Sequence, residues 1–437
     1  MKTSYYNYLI DNGNDSILYN CYTDELLLML PDVLSIYKDN VAHPERIKDI
    51  HPSFFQYLRG KGFLVDDEKN EQESIIANWE KTNNESRTFS ITINPTLDCN
   101  MKCWYCYEKH TSNKMAEDIS LSVLRLLERI NENSRYDNII LSFFGGEPLF
   151  YFEDVVKPLI DKVSLVCYKN KKTFKLHFTT NGSLLNDTIF KYLNNYDVSF
   201  QITLDGNEKL HNLVKSTKNG ENNYQIVVHN IKKALSDGHM VSVRLNYVAK
   251  NLPCFLDIVS DFQAVSVEDR NKLSFNFQRV WQDHIGSRAE VQATVKDLEK
   301  IFRDAGFKVI SSVLNSTGRC YADDDNNVVI NYDGQIFKCT ARDFVTENSE
   351  GYITDKGELC WNERHYKRVS IVYGNNNCKK CKIYPLCHGG CSQQKLEVKK
   401  LENICIKNYT EEDKSKFVAD RIQDLLVLNS ENKNIAK

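Results

Sequence analysis

The chain has 437 residues, a formal net charge of −3 and 41% apolar residues. That length allows two or three domains of roughly 100–200 residues each. The near-neutral charge gives no electrostatic reason to expect nucleic acid as the main partner. Residues 1–14 mix Lys, Asp and Asn with apolar positions, which argues against a secretory signal. No stretch approaches the ~18 uninterrupted apolar residues of a membrane span. The expectation is a cytoplasmic protein with no membrane partner.

Taken in chain order, the first ~86 residues read as a separate region. Tyr5 to Ile10 and Ile17 to Asn20, around Asn12-Gly13-Asn14-Asp15, predict a β-hairpin. Leu26 to Tyr37 and Phe54 to Leu58 carry apolar residues at helical spacing, and Gly60 to Val65 reads as a wing strand. Hairpin, helices and wing predict a small winged-helix-like unit. The charged, Asn-rich stretch from Asp66 to Ser86 is expected to begin as a helix and end as a linker.

From Thr88 onward strands alternate with helices. Predicted strands are Phe89–Asn94, Asn138–Phe144, Phe174–Thr180, Val198–Leu204, Val241–Tyr247 and Leu273–Arg279. Predicted helices are Ile119–Ile130, Val155–Val166, Thr188–Leu193, Ile226–Leu235, a weaker one near Phe255–Phe262, and Val291–Phe302. Six βα units imply a parallel sheet, open or curled into a partial TIM-like (β/α)6 barrel. After Gly306 come turns, cysteines and short strands, with Tyr332-Asp333-Gly334 as a hairpin turn between Val328–Asn331 and Gln335–Lys338. Glu411 to Leu428 reads as a terminal helix. The expected boundaries are 1–86, 87–307, 308–410 and 411–437.

Fourteen cysteines are many for such a chain. Ten of them fall in two clumps at metal-ligand spacing, so reduced thiolates holding metal are a better reading than disulfides. Cys99, Cys103 and Cys106 place three thiolates within eight residues, just past the end of the first βα strand, where ligands of such sheets bind. Zinc loops usually close with C-x2-C pairs, which fits this triplet poorly. A four-iron cube needs four ligands, and three cysteines leave one iron open for a small molecule.

The C-x3-C-x2-C run, with Tyr105 before its third cysteine, resembles the signature of the radical S-adenosylmethionine (SAM) enzymes. Gly145-Gly146-Glu147-Pro148, directly after the second strand, is similar to that family's GGEP motif. The resemblance implies that Glu147 and the adjoining backbone hold the methionyl amino group of SAM. Polar residues at the other strand ends are further cofactor or substrate candidates: Thr179, Thr180 and Asn181, then Thr203, Asp205 and His211, then Arg244 and Asn246, then Asn276 and Gln278. The family often places a Ser or Thr at the position of Thr203, near SAM.

The second clump comprises Cys320, Cys339, Cys378, Cys381, Cys387, Cys391 and Cys405. Its spacing resembles the cysteine-rich SPASM extension of radical SAM peptide maturases. That resemblance implies two auxiliary [4Fe–4S] clusters, three clusters in all. Cys378, Cys381, Cys387 and Cys405 would bind one. Cys320, Cys339 and Cys391 would bind the other, either with an open iron or with a distant cysteine such as Cys360. Sulfatase maturases place an extra cysteine before the first of these and an Asp base after the G-x4-C cysteine. Here residues 311–319 hold no cysteine, and Thr340 takes the base's position with Asp343 nearby as the catalytic candidate.

The expected activity is removal of a hydrogen atom from a precursor peptide by a 5′-deoxyadenosyl radical, closing a thioether or carbon–carbon crosslink. Formylglycine formation and a non-catalytic electron-transfer or redox-sensing role are the alternatives. Expected partners are a precursor peptide with its leader, recognised by the N-terminal region, and an electron donor such as flavodoxin or ferredoxin.

Overall fold

A computed structural model describes residues 1–13, 15–216, 222–310, 319–398 and 404–435. The chain divides into two compact units. One comprises Met1–Glu85, Val313–Asp323 and Lys367–Lys437, and the other Ser86–Ser312 and Asp324–Tyr366. The stretch 308–410 is therefore shared between the units rather than forming one block.

In the first unit, β1 (Lys2–Thr3) pairs with β5 (Leu64–Val65), and β2 (Asn7–Asn12), β3 (Asp15–Asn20) and β4 (Glu25–Met29) form an antiparallel sheet. The β2–β3 hairpin lies where the sequence predicts it. The predicted helix from Leu26 does not: Glu25–Met29 is a third strand, and the helix runs over Pro31–Asp39. Pro31 accounts for the difference. It disfavours helical geometry in the residue before it, and Leu30 is extended at φ −71°, ψ 160°. The expected linker is also absent, because Glu71–Glu85 is one continuous helix. Its Ile75 packs with Tyr6 and Tyr19 against Ile383, Tyr384, Val418 and Ile422. The N-terminal region thus shares a core with the cysteine-rich C-terminal segment and with the terminal helix Glu411–Ile435.

The second unit is an α/β partial barrel. The six predicted strands are present as β6 (Thr88–Ile93), β7 (Asn138–Phe143), β8 (Thr173–Thr180), β9 (Asp197–Leu204), β10 (Met240–Tyr247) and β11 (Leu273–Arg279). They lie side by side in chain order, all parallel. Short β12 (Lys308–Val309) extends the β11 edge, and β13 (Asn327–Ile330) lies parallel to β6 at the other. β14 (Gln335–Phe337), β15 (Gly351–Ile353) and β16 (Leu359–Trp361) continue from β13 as an antiparallel meander.

Side chains alternate across each strand. Ile91, Leu141, Phe178, Phe200 and Val243 face the buried core under the helices. Thr179, Gln201, Thr203, Arg244 and Asn246 face the opposite side and line a single cavity. The period-two pattern therefore builds the hydrophobic core and the polar cavity wall with the same strands.

Candidate functional site

The cavity lies at the carboxyl ends of the strands. Cys99, Cys103 and Cys106 all line it, as do Gly145, Gly146 and Asn181. Burial pushes the Cys99 thiol up to about 12 and that of Cys106 up to about 11. Among the described residues no three His, Cys, Asp or Glu side chains converge on a single-ion position. The triplet fits a cluster better than a lone zinc, because each thiolate of a cube binds a different iron.

The two glycines serve the cysteine loop itself. Gly146 N donates to Thr96 O (3.2 Å) and Glu147 N to Asp98 O (2.8 Å), zipping the two loops together. A Cβ on Gly146 would stand 2.2 Å from Asp98 O, and one on Gly145 would stand 2.4 Å from Thr96 O. Only glycine permits this approach, and Gly145 also adopts φ +103°. Asn181 continues the tie: its amide donates to Asn100 Oδ1 (2.8 Å), and Asn100 donates to Ser183 Oγ (2.9 Å).

Glu147 does not line the cavity. It is wholly buried behind the glycines and accepts from Thr180 Oγ1 (2.7 Å), Asn181 N (2.8 Å) and Leu149 N (3.1 Å). Burial raises its carboxyl, opposed by those three donors and by Lys215. Pro148, also buried, opens the short helical turn that follows.

Tyr105 joins the loop to the far wall. Its hydroxyl meets both oxygens of Asp205 at 2.9 Å and accepts from Asn246 Nδ2 at 3.0 Å, and Arg244 Nε donates to Asn246 Oδ1 at 2.9 Å. Asp205 stands behind the wall, in an ion pair with Lys215 at 3.7 Å. His211 Nδ1 accepts from Asp205 N at 3.3 Å.

Lys215 and Glu108 are among the residues of this cavity that the sequence reading missed. Lys215 is 4% exposed and lines it. Burial works against its charge, but Cys103, Asp205, Cys99 and Glu147 together outweigh that and hold the ammonium above its ordinary pKa. The signal was a lysine four residues after His211, at the end of the short helix that follows Asp205-Gly206. Glu108 is 9% exposed, lines the cavity and leaves Oε2 without a hydrogen-bond partner. Burial, with a smaller push from Asp343, raises its carboxyl to about 8.

Four candidates lie elsewhere. Asn276 and Gln278 bond to each other at 2.7 Å on β11. Asp343 accepts from Lys109 N at 3.1 Å and so anchors the exit of the cysteine loop, outside the cavity lining. Cys360 pairs with Tyr352 across β15–β16, level with Gln335. Cys339 lies two residues beyond the end of β14.

In the other unit, Cys378, Cys381, Cys387 and Cys405 line one cavity of about 310 Å³. Asn375 Oδ1 caps Cys378 N at 3.0 Å, and Cys381 N donates to Cys378 O at 3.0 Å. Four cysteines on one cavity equal in number the ligands of a complete cube. Of the remaining three cysteines, Cys320 and Cys391 belong to this unit and Cys339 to the barrel unit.

The parallel strands thus carry a three-cysteine loop and a glycine-zipped partner loop at their carboxyl ends. Residues 93–249 match the sequence model of the radical SAM superfamily. Among curated relatives, a cysteine-type anaerobic sulfatase-maturating enzyme of Clostridium novyi is 26% identical over 349 residues, covering 71% of this chain and 89% of that protein. One from Clostridium perfringens is 23% identical over 346 residues, covering 69% and 88%. Of solved structures, anSMEcpe with bound AdoMet superposes with a TM-score of 0.61 at 16% identity, covering 79% of this chain and 96% of that one. Streptococcus suis SuiB bound to S-adenosylmethionine superposes at 0.53 and 17% identity, covering 94% and 100%. At these identities the structures establish a shared fold.

Proposed function

We propose that the chain is a radical SAM maturase of a ribosomally made precursor peptide, forming a thioether or carbon–carbon crosslink. The observation that carries this is the convergence of Cys99, Cys103, Cys106, the glycine pair and Lys215 on one cavity. Solved neighbours support the peptide substrate: anSMEcpe has been seen with the Kp18Cys peptide and SuiB with its precursor peptide SuiA. SuiB also covers more of this chain than anSMEcpe does.

In this reading Cys99, Cys103 and Cys106 hold a [4Fe–4S] cluster, which with SAM supplies a 5′-deoxyadenosyl radical able to take hydrogen from carbon. The chain's own residues bind and orient. Lys215 presents a buried ammonium, the complement of the SAM carboxylate. Glu147 fixes the Thr180–Asn181 corner and adds negative charge behind the glycines, where the amino group of SAM docks. Tyr105, Asp205 and Asn246 lock the loop against the barrel wall. Glu108, a buried carboxyl on the cavity wall with Oε2 unpartnered, joins Asp343 as an acid–base candidate. The seven remaining cysteines of the second clump hold two auxiliary clusters.

Formylglycine formation is the second reading, favoured by the sulfatase-maturating relatives. Anaerobically reconstituted protein, given SAM and dithionite, is expected to release 5′-deoxyadenosine; none would refute the radical reading. With the precursor encoded nearby, loss of two hydrogens without an aldehyde supports the crosslink. A hydrazide-reactive product supports formylglycine.

A further inference from the structure

Lys379, Lys380 and Lys382 interleave with two of the four cysteines that line the cavity of the first unit, in the run Cys378-Lys-Lys-Cys-Lys382. With Lys2 and Lys69 they line an adjoining surface cleft, and Lys380 lines both. The cleft's acids do not balance them. Glu71 is buried and accepts from Ser4 Oγ (2.5 Å) and Tyr5 N (2.9 Å), leaving Glu68. Nearby Asp67 is taken by the N-terminal ammonium, and Glu411 by Lys414. Among the described residues none of the five lysines pairs with a carboxylate. Lys382 Nζ lies over the rings of Tyr8 (5.5 Å) and Tyr5 (6.0 Å) instead. Tyr5 is 49% exposed in the middle of this basic surface, its hydroxyl bonded to Lys380 O at 2.6 Å. On a chain of net charge −3 this is a local reversal of sign. Cys405, at the edge of the four-cysteine cavity, is itself exposed.

We propose that this surface docks a small acidic electron-carrier protein of the flavodoxin or ferredoxin kind. The inference rests on assigning Cys378, Cys381, Cys387 and Cys405 to a cluster. Electron-transfer encounters use small interfaces, and opposite charge supplies their orientation and rate. A basic rim with an exposed tyrosine at its centre, beside a redox centre that opens to solvent, has that form. Lysines serving only to offset thiolate charge would line the cysteine cavity, yet Lys2 and Lys69 line only the adjoining cleft.

The test measures binding of oxidised flavodoxin to anaerobically reconstituted full-length protein by calorimetry, at low and at physiological salt. Wild type is expected to bind with an affinity that falls steeply with salt. Lys379→Glu/Lys380→Glu/Lys382→Glu should weaken binding about tenfold or more at low salt. Lys2→Glu/Lys69→Glu, which leaves the cysteine loop untouched, should weaken it in the same direction. Lys162→Glu/Lys169→Glu/Lys191→Glu, on exposed helix positions of the barrel unit, should bind as wild type. Equal affinity of the Lys2/Lys69 variant and wild type would overturn the proposal. So would equal binding of a polyglutamate peptide, which would make the surface a general polyanion site. Iron analysis of a Cys378→Ala/Cys381→Ala variant separately tests the cluster assignment: unchanged iron would sink that assignment while leaving the docking result readable.

Discussion

Replacing Glu147 by alanine removes a carboxylate that three donors share: Thr180 Oγ1, Asn181 N and Leu149 N. A hydrogen bond to a charged group contributes about 1.5–3 kcal/mol net, and each buried donor left unpaired costs ~1–3 kcal/mol. The contributions are not additive and water can enter the vacated space. A loss of roughly 3–6 kcal/mol is therefore expected, a large share of a typical 5–15 kcal/mol margin. Asn181 carries the link to Asn100 in the cysteine loop, so the same change should loosen the SAM site and lower SAM affinity about tenfold to a hundredfold. Urea unfolding of the apoprotein reads the first effect, and calorimetric SAM titration of reconstituted protein reads the second. Glu147→Gln should recover part of the stability but little of the affinity, because it lacks the charge. An alanine variant as stable as wild type would refute the anchoring argument. A destabilised variant with unchanged SAM affinity would refute the binding role alone.

Wild type should hold about twelve irons per chain if all three sites carry cubes, and changing Cys99, Cys103 and Cys106 to Ala should remove one cluster and all 5′-deoxyadenosine formation, as iron analysis and chromatography would show. Lys215→Met should lower affinity for SAM but not for decarboxylated SAM; an equal loss for both would mean that the lysine only balances Asp205. Burial depresses the His211 pKa from 6.5 to about 3, so the unfolded chain takes up the proton first as pH falls below 6.5, and this part of the stability drains away toward pH 3. The melting temperature of His211→Asn should fall less between pH 6.5 and 5 than that of wild type. Deleting residues 1–85 should expose the core formed by Ile383, Tyr384, Val418 and Ile422 and cost the variant its Cys378–Cys405 cluster, seen as lost iron; full retention would mean that the two segments fold independently.

Legibility in the sequence followed the range of the forces involved. The six parallel strands could be read because alternation is local and strong: Ile91, Leu141, Phe178 and Phe200 recur at period two and pack on one face. The cysteine triplet and the glycine pair could be read because their spacing is itself the chemistry. Lys215 could not, since an ammonium in a helical stretch looks solvated until the fold folds it back toward Asp205 and Cys103. Glu147 was legible as a residue but not as a layer: only the structure shows that both oxygens are spent behind the glycines. The N-terminal region shows the same limit most fully. Its hairpin is local and was legible, while Trp79 stacks on Tyr373 (6.1 Å) and packs edge-on to Tyr384 (5.0 Å), residues about 300 positions away. No local pattern carries such a contact, so a segment that reads as a detachable recognition module is also part of the core beneath the four-cysteine cavity. A variant meant to separate recognition from stability must therefore alter exposed Leu28 on edge strand β4, or Leu30 just after it, and leave Tyr6, Tyr19, Ile75 and Trp79 in place.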